Sequence, residues 1–184
     1  MANLNGTRTE ANLKNAVLGE LKAHASYLLF AAKAQEEGHS AVAKYFESTA
    51  VNEQEHSKIW QRLLGRDEPP DIKPDQIKVG STKDNLQTAI NGETYENTKM
   101  YPSFMAGAAE EGFENIANLF NQVANIEKSH ADYFKLLLDR LNSPAAAETI
   151  SRDKLKCDKC GFIVSAKNHP AICPVCGGAG FSQF

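Results

Sequence analysis

The chain has no cysteine in its first 156 residues, no apolar run long enough to cross a membrane, and no large excess of either charge. Each of these excludes something. A membrane helix needs about 20 consecutive apolar residues, and the opening MANLNGTRTE lacks the apolar core of an export signal. The expectation is a soluble, cytoplasmic protein with no membrane partner. A net charge of −3 over 184 residues leaves neither a basic patch for nucleic acid nor an acidic tail. No Gly-x-Gly-x-x-Gly follows a strand-like run, so the chain has no dinucleotide fingerprint of its own. The four cysteines all fall in the last 28 residues, as two Cys-x-x-Cys pairs. In an unexported chain these are thiols or metal ligands rather than disulfides.

What is present is helical periodicity. The length suits one sizeable core and a small second module. The pattern predicts a helix over 9–37 stopped at Gly38, and a second over 40–64, capped by His39-Ser40 and stopped at Gly65. A third is predicted over 81–111, with Ser81 and Asp84 as a capping box, and a fourth over 113–141. The proline-rich 65–80 joins the two pairs, which predicts a four-helix bundle with a long crossover. Residues 143–153 read as a linker to the cysteine-bearing tail.

The bundle half contains an internal repeat. Gly19-Glu20 recurs as Gly92-Glu93; Glu53-x-x-His56 follows Glu20 by 33 residues, and Glu127-x-x-His130 follows Glu93 by 34. At i±3, i±4 and i±7, Glu20 shares its face with Leu13, Ala16, Val17, Ala23, His24 and Tyr27. Glu53 and His56 share theirs with Phe46, Ala50 and Trp60; Glu93 with Leu86, Ala89, Ile90, Glu96 and Met100; Glu127 with Phe120, Val123, Ala124, Ala131 and Phe134. Five carboxylates (Glu20, Glu53, Glu93, Glu96, Glu127) therefore point into one interior. A buried unpaired carboxylate costs several kcal/mol even after relaxation, and no Lys or Arg lies on these stripes to offset it. Two divalent or trivalent metal ions would. One Glu from each of two helices and Glu-x-x-His from each of the others is the helical-bundle pattern of di-iron carboxylate sites. A single such pair is weak evidence; two copies with matched upstream Glu residues are specific.

Neighbouring residues receive plainer readings. Glu36, Glu37, Glu55, Glu110, Glu111 and Glu114 fall off these faces or at helix ends and are expected to be solvated. His24 is expected to be a hydrogen-bonded core histidine, and His39 a turn residue. Tyr27 and Tyr101 lie on or near the site face, packed in the core or bonded to a ligand. Pro102 leaves the Thr98 carbonyl without its helical partner, which predicts a kink.

In the tail, Cys157, Cys160, Cys173 and Cys176 leave twelve residues between the pairs. Roughly 30 residues cannot build a self-sufficient core, so a metal is the expected staple. Four thiolates suit zinc or iron; beside an iron-pair bundle, a one-electron iron is preferred. His169, in the loop between the pairs, is expected at the surface.

Together the two GE pairs, NEQEH, GETYENTKMYP, AAEEGFENIANLF, NIEKSH and the cysteine knuckles resemble the rubrerythrin family across essentially the whole chain. The resemblance implies a mainly α fold: a ferritin-like four-helix bundle with long crossover over 1–146, a linker over 147–153, and a small β-rich rubredoxin-like domain over 154–184. Its distinguishing mark is Glu96, where the first half has Ala23. The resemblance further implies that Glu53 and Glu127 bridge two irons, that Glu20 binds the first, and that Glu93 with His130 binds the second. Glu96 and His56 would alternate on the first iron with redox state, and Tyr27 and Tyr101 would supply hydrogen bonds. Two departures stand out: His24 in place of another polar residue, and a short knuckle loop. The implied activity is reduction of hydrogen peroxide to water in oxidative-stress defence. Electrons would come from an NAD(P)H-linked reductase or rubredoxin-type carrier through the four-cysteine iron, in a homodimer that sets the tail near a partner's iron pair. The second reading is a ferroxidase that handles iron, and a third is a non-enzymatic interaction protein with a zinc ribbon.

Overall fold

The computed structural model describes residues 3–65, 77–143 and 153–183. Most of the 65–80 connection and of the 147–153 linker lies outside those residues. Helix α1 spans Arg8–Glu36 and starts where the Thr7 side chain accepts the Glu10 amide. Helix α2 spans Ser40–Leu64 and ends on Gly65 in the left-handed region, as its sequence requires. The expected cap at its start is not made by a side chain. His39 occupies the position without a side-chain bond, and the turn is held by backbone alone: Gly38 takes φ +80° and the His39 amide donates to Ala34 O.

The single helix expected over 81–111 is three pieces. Helix α3 covers Thr82–Tyr95, a π-helical turn covers Glu96–Met100, and α4 covers Tyr101–Glu110. The Ser81–Asp84 capping box forms as expected. Pro102 does not break the helix. It has no N–H to donate, and just before it the Tyr101 amide reaches back five residues to Glu96 O, so the chain absorbs the misfit as a π turn. Helix α5 spans Glu114–Asn142.

The helices form two hairpins, α1 with α2 and α3–α4 with α5. Their turns match: Gly112 takes φ +78° and Phe113 N donates to Ala108 O, as Gly38 and His39 do in the first hairpin. Glu37 and Glu111, expected to be solvated, fasten the two hairpins instead. Glu37 accepts the Thr82 amide at the start of α3, and Glu111 accepts the Thr9 amide and hydroxyl and the Arg8 amide at the start of α1. Each carboxylate satisfies N–H groups that a helix start leaves without partners. Glu110 is exposed, as expected, and pairs there with Arg8, whereas Glu55 is largely covered and pairs with Arg62. Among the described residues the core has two apolar clusters. One gathers Tyr27, Phe30, Phe46, Leu86 and Phe134; the other Leu13, Trp60, Tyr101, Phe120 and Ile126.

The cysteine-bearing tail is a three-stranded antiparallel sheet, ordered β2-β1-β3, from β1 Lys154–Cys157, β2 Ile163–Ser165 and β3 Phe181–Ser182. It packs against the bundle of the same chain, where the resemblance places a partner's tail. Among the described residues no helix is long and apolar enough to cross a membrane.

Candidate metal centres

Glu20, Glu53, Glu93, Glu127, His56 and His130 are all buried, at 1% exposure or less. They form two overlapping groups, Glu20–Glu53–His56–Glu127 and Glu53–Glu93–Glu127–His130. Within each group the potential ligand atoms lie within 4.8 Å of one another, and Glu53 and Glu127 belong to both. His56 Nδ1 stands 3.0 Å from Glu127 Oε1, 3.1 Å from Glu53 Oε2 and 3.6 Å from Glu20 Oε2. His130 Nδ1 stands 2.9 Å from Glu127 Oε2, 3.1 Å from Glu53 Oε1 and 3.5 Å from Glu93 Oε2. The two halves of the repeat thus mirror one another atom for atom.

The hydrogen bonds leave this cluster short of positive charge. Oxygens of Glu20, Glu53, Glu93 and Glu127 are buried without a hydrogen bond. His56 Nε2 lies 2.8 Å from Cys160 O, which can only accept, so Nε2 carries the hydrogen. Nδ1 then faces three carboxylates and needs a cation or a proton between them. The titration behaviour says the same. Burial pushes Glu20 well above the usual carboxylate range and takes Glu93 to about 8. Burial alone would raise Glu53 too, but the imidazoles of His130 and His56 outweigh it and lower its pKa. Burial disfavours both imidazolium ions, yet Glu127 and Glu20 around His56, and Glu53 and Glu93 around His130, raise both well above the ordinary range. Protons gather where charge is needed, and metal ions binding here would displace them. Four carboxylates, two of them shared, and two imidazole nitrogens are a donor set that fits an iron pair.

Two phenols fix the outer carboxylates. Tyr27 Oη donates to Glu93 Oε1 at 2.6 Å, and Tyr101 Oη donates to Glu20 Oε1. Each tyrosine therefore serves the carboxylate of the other hairpin. Burial, followed by the charges of Glu93 or Glu20, raises both phenols far above their usual pKa, so they remain donors. Trp60 Nε1 adds bonds to Tyr101 Oη at 3.1 Å and Glu20 Oε1 at 3.4 Å. His24 is a hydrogen-bonded histidine, its Nδ1 at 2.7 Å from Ala50 O.

Glu96 stands apart from both groups. It lines a groove of about 270 Å³ between α1 and α3 with Gly19, Ala23, Tyr27 and Gly92. Burial and then the charge of Glu20 push it well above the usual carboxylate range. His56, not Glu96, is the group facing Glu20 here.

The four cysteines converge as expected, unpaired by disulfides. Cys157 and Cys176 Sγ are 3.7 Å apart, and Cys160 and Cys173 Sγ 3.6 Å. A tetrahedron with metal–sulfur bonds near 2.3 Å has edges of about 3.8 Å, so the spacing fits one tetrahedral ion. His169 is exposed, as expected.

The sequence reading missed how the two centres touch. Asn52 Nδ2 donates to Lys159 O at 2.7 Å, beside the His56–Cys160 bond. Lys156 Nζ bonds Ser48 Oγ and lies 5.4 Å from the centre of the Tyr45 ring. Tyr45, Ser48, Asn52 and His56 recur at helical spacing beside the Glu53 stripe, and that second stripe was the available signal.

Comparison with known proteins agrees with this geometry. The rubrerythrin family profile matches residues 11–138. Rubrerythrin of Porphyromonas gingivalis is 36% identical over 175 residues, covering 94% of this chain and 87% of that one. Nigerythrin of Nitratidesulfovibrio vulgaris is 34% identical, covering 91% and 81%. The solved structure of nigerythrin in its fully reduced, all-ferrous state superimposes with a TM-score of 0.74 at 29% identity, over 98% of this chain and 91% of that one. The chain belongs to the rubrerythrin family: it is a di-iron protein, with a carboxylate–histidine site for two irons and a four-cysteine site for one.

Proposed function

We propose that the chain is a peroxidase of oxidative-stress defence, which reduces hydrogen peroxide to two waters with two electrons and two protons. The observation that carries this reading is the contact between the two centres. His56, of the buried carboxylate group, donates to the carbonyl of Cys160, of the four-thiolate group. A bundle that only oxidised and passed on iron would have no use for that link.

Glu53 and Glu127 would bridge the iron pair, Glu20 and His56 would hold one member, and Glu93 and His130 the other. Cys157, Cys160, Cys173 and Cys176 would hold the single iron. When bound, the pair supplies two electrons together and the single iron returns them one at a time. Tyr27 and Tyr101 keep Glu93 and Glu20 oriented as anions. Glu96, its pKa raised by burial and by the charge of Glu20, would carry a proton between the groove and Glu20. It is also the group that would exchange places with His56 as the redox state changes. The α1–α3 groove is wide enough for peroxide and opens beside Glu96 and Tyr27.

Reducing equivalents would come from a separate NAD(P)H-linked reductase or rubredoxin-type carrier in the cytoplasm. In a homodimer the tail can make this same contact with a partner's bundle. The test is rapid mixing of the anaerobically reduced protein with peroxide or oxygen, following the return of the ferric-thiolate colour. The expected result is fast return with peroxide and slow return with oxygen. A preference for oxygen would overturn the reading in favour of a ferroxidase, and absence of the colour would favour a zinc ribbon.

A further inference from the structure

Both cysteine knuckles end on a glycine at φ +76°, Gly161 and Gly177. Their hydrogen bonding is the same: Gly161 N donates to Cys157 O at 3.0 Å, and Gly177 N to Cys173 O at 2.9 Å. Their surroundings differ. A Cβ on Gly177 would meet nothing within 4 Å. A Cβ on Gly161 would lie 2.9 Å from His130 Nε2, 2.9 Å from Asn52 Oδ1 and 3.2 Å from Ile126 Cγ2. None of these can easily move away: Asn52 is held by its bond to Lys159 O, and His130 and Ile126 are buried on α5.

We propose that Gly161 is a positioning residue for electron transfer. Its bare backbone lets the Cys160–Gly161 peptide rest on His130 while the carbonyl of that same peptide accepts from His56. One knuckle thereby touches the histidines of both halves of the bundle. The left-handed backbone accounts for a glycine at both knuckles, but the closeness of approach is required only at Gly161. The electron-transfer role rests on the function proposed above; the contact itself does not.

Gly161→Ala and Gly177→Ala separate the two demands, because both meet the backbone strain and only the first meets the bundle. The first readout is the His56 Nε2–H resonance in the zinc-loaded protein, in which neither centre turns over. We expect it to persist in G177A and to be lost in G161A. The second is the ferric-thiolate colour after peroxide, with the iron pair's own absorption followed alongside. An ångström of misplacement at a reacting site can cost up to 10²-fold, so in G161A return of the colour is expected to slow by about tenfold or more. Oxidation of the iron pair should keep its rate, and G177A should match the wild type in both. Should G161A fail to hold the four-thiolate metal, Asn52→Gln decides, since it adds a methylene to the same space from the bundle side and leaves the knuckle intact. A retained His56 resonance in G161A, or in N52Q where that variant decides, overturns the proposal. Loss of the resonance with an undiminished rate of colour return upholds the contact and overturns its role in transfer. Slow oxidation of the iron pair in the wild type would count against the peroxidase reading, and not against the contact.

Discussion

Tyr101→Phe removes one oxygen from the interior and leaves the packing as it was. The ring is fully buried, with centroids 5.8 Å from Trp60, 5.8 Å from Phe120 and 6.1 Å from Phe104, and a phenylalanine keeps all three contacts. What goes is the hydroxyl that donates to Glu20 Oε1 and accepts from Trp60 Nε1. A hydrogen bond to a charged acceptor contributes about 1.5–3 kcal/mol. Trp60 Nε1, already 3.4 Å from the same oxygen, offsets part of the loss. The net is about 2 kcal/mol, or roughly 30-fold in an equilibrium constant, within the 10- to 100-fold range of outer-shell changes at metal sites.

The loss falls on the state in which Glu20 is an anion, and that is the metal-loaded state. Anaerobic titration of ferrous iron against a competing chelator is therefore the assay. Y101F should weaken one of the two iron positions by roughly 30-fold and leave the other near its wild-type affinity. Tyr27→Phe, which strips Glu93 of its 2.6 Å bond, should weaken the opposite position. Wild-type affinity at both positions in a folded Y101F would refute the reasoning, because Glu20 would then not depend on the phenol.

Two further outcomes follow from the hairpin fastenings and the π turn. The Thr9 hydroxyl and amide hold the Glu111 carboxylate below its usual pKa, so Glu111 stabilises the fold above the unfolded value of about 4.3 and ceases to do so as pH falls through the lower folded value. In acid titrations followed by circular dichroism, Glu111→Gln should be the less stable protein near neutrality and converge on the wild type in acid; a gap that widens in acid would contradict the assignment. Deleting the exposed Lys99 should convert the π turn to α-helix, which leaves Pro102 inside a continuous helix and lowers denaturant stability, while peroxide turnover falls because Glu96 loses the backbone that presents it. Unchanged turnover would show that the π turn does not serve Glu96.

The helices, their glycine stops, the Ser81 box and the convergence of four of the five expected carboxylates, all but Glu96, were legible because each depends on residues three or four apart. The contact between tail and bundle was not. It joins Asn52 to Lys159 and His56 to Cys160, partners more than 100 residues apart, through backbone carbonyls that every residue carries. Gly161 looks the same as Gly177 in the sequence, and only the opposing surface distinguishes them. Glu37 and Glu111 carry no local sign of a partner, because the groups they bind lie at the starts of distant helices.

The π turn is a different case, because its signal was present as a discrepancy of one residue. Glu93 follows Glu20 by 73 positions, and Glu96 follows Ala23 by the same interval. Tyr101 follows Tyr27 by 74, Glu111 follows Glu37 by 74, and His130 follows His56 by 74. The second half has therefore gained one residue between 96 and 101, which is where the π turn lies. In an unbroken α-helix, at about 100° per residue, Tyr101 would stand roughly 80° around the axis from Glu93. Absorbing one residue reduces that to about 20°, close to the seven-residue relation of Tyr27 to Glu20. That is why Tyr101 is fully buried beside Glu20 and Met100, which an uninterrupted helix would place on the Glu93 stripe, is only partly buried. The same residue that keeps the two tyrosines equivalent makes the two helices unlike at one point, beside the carboxylate that the first half lacks. The asymmetry of the site is thus confined to Glu96 and the turn that follows it, while the remaining carboxylates and histidines of the cluster obey the repeat.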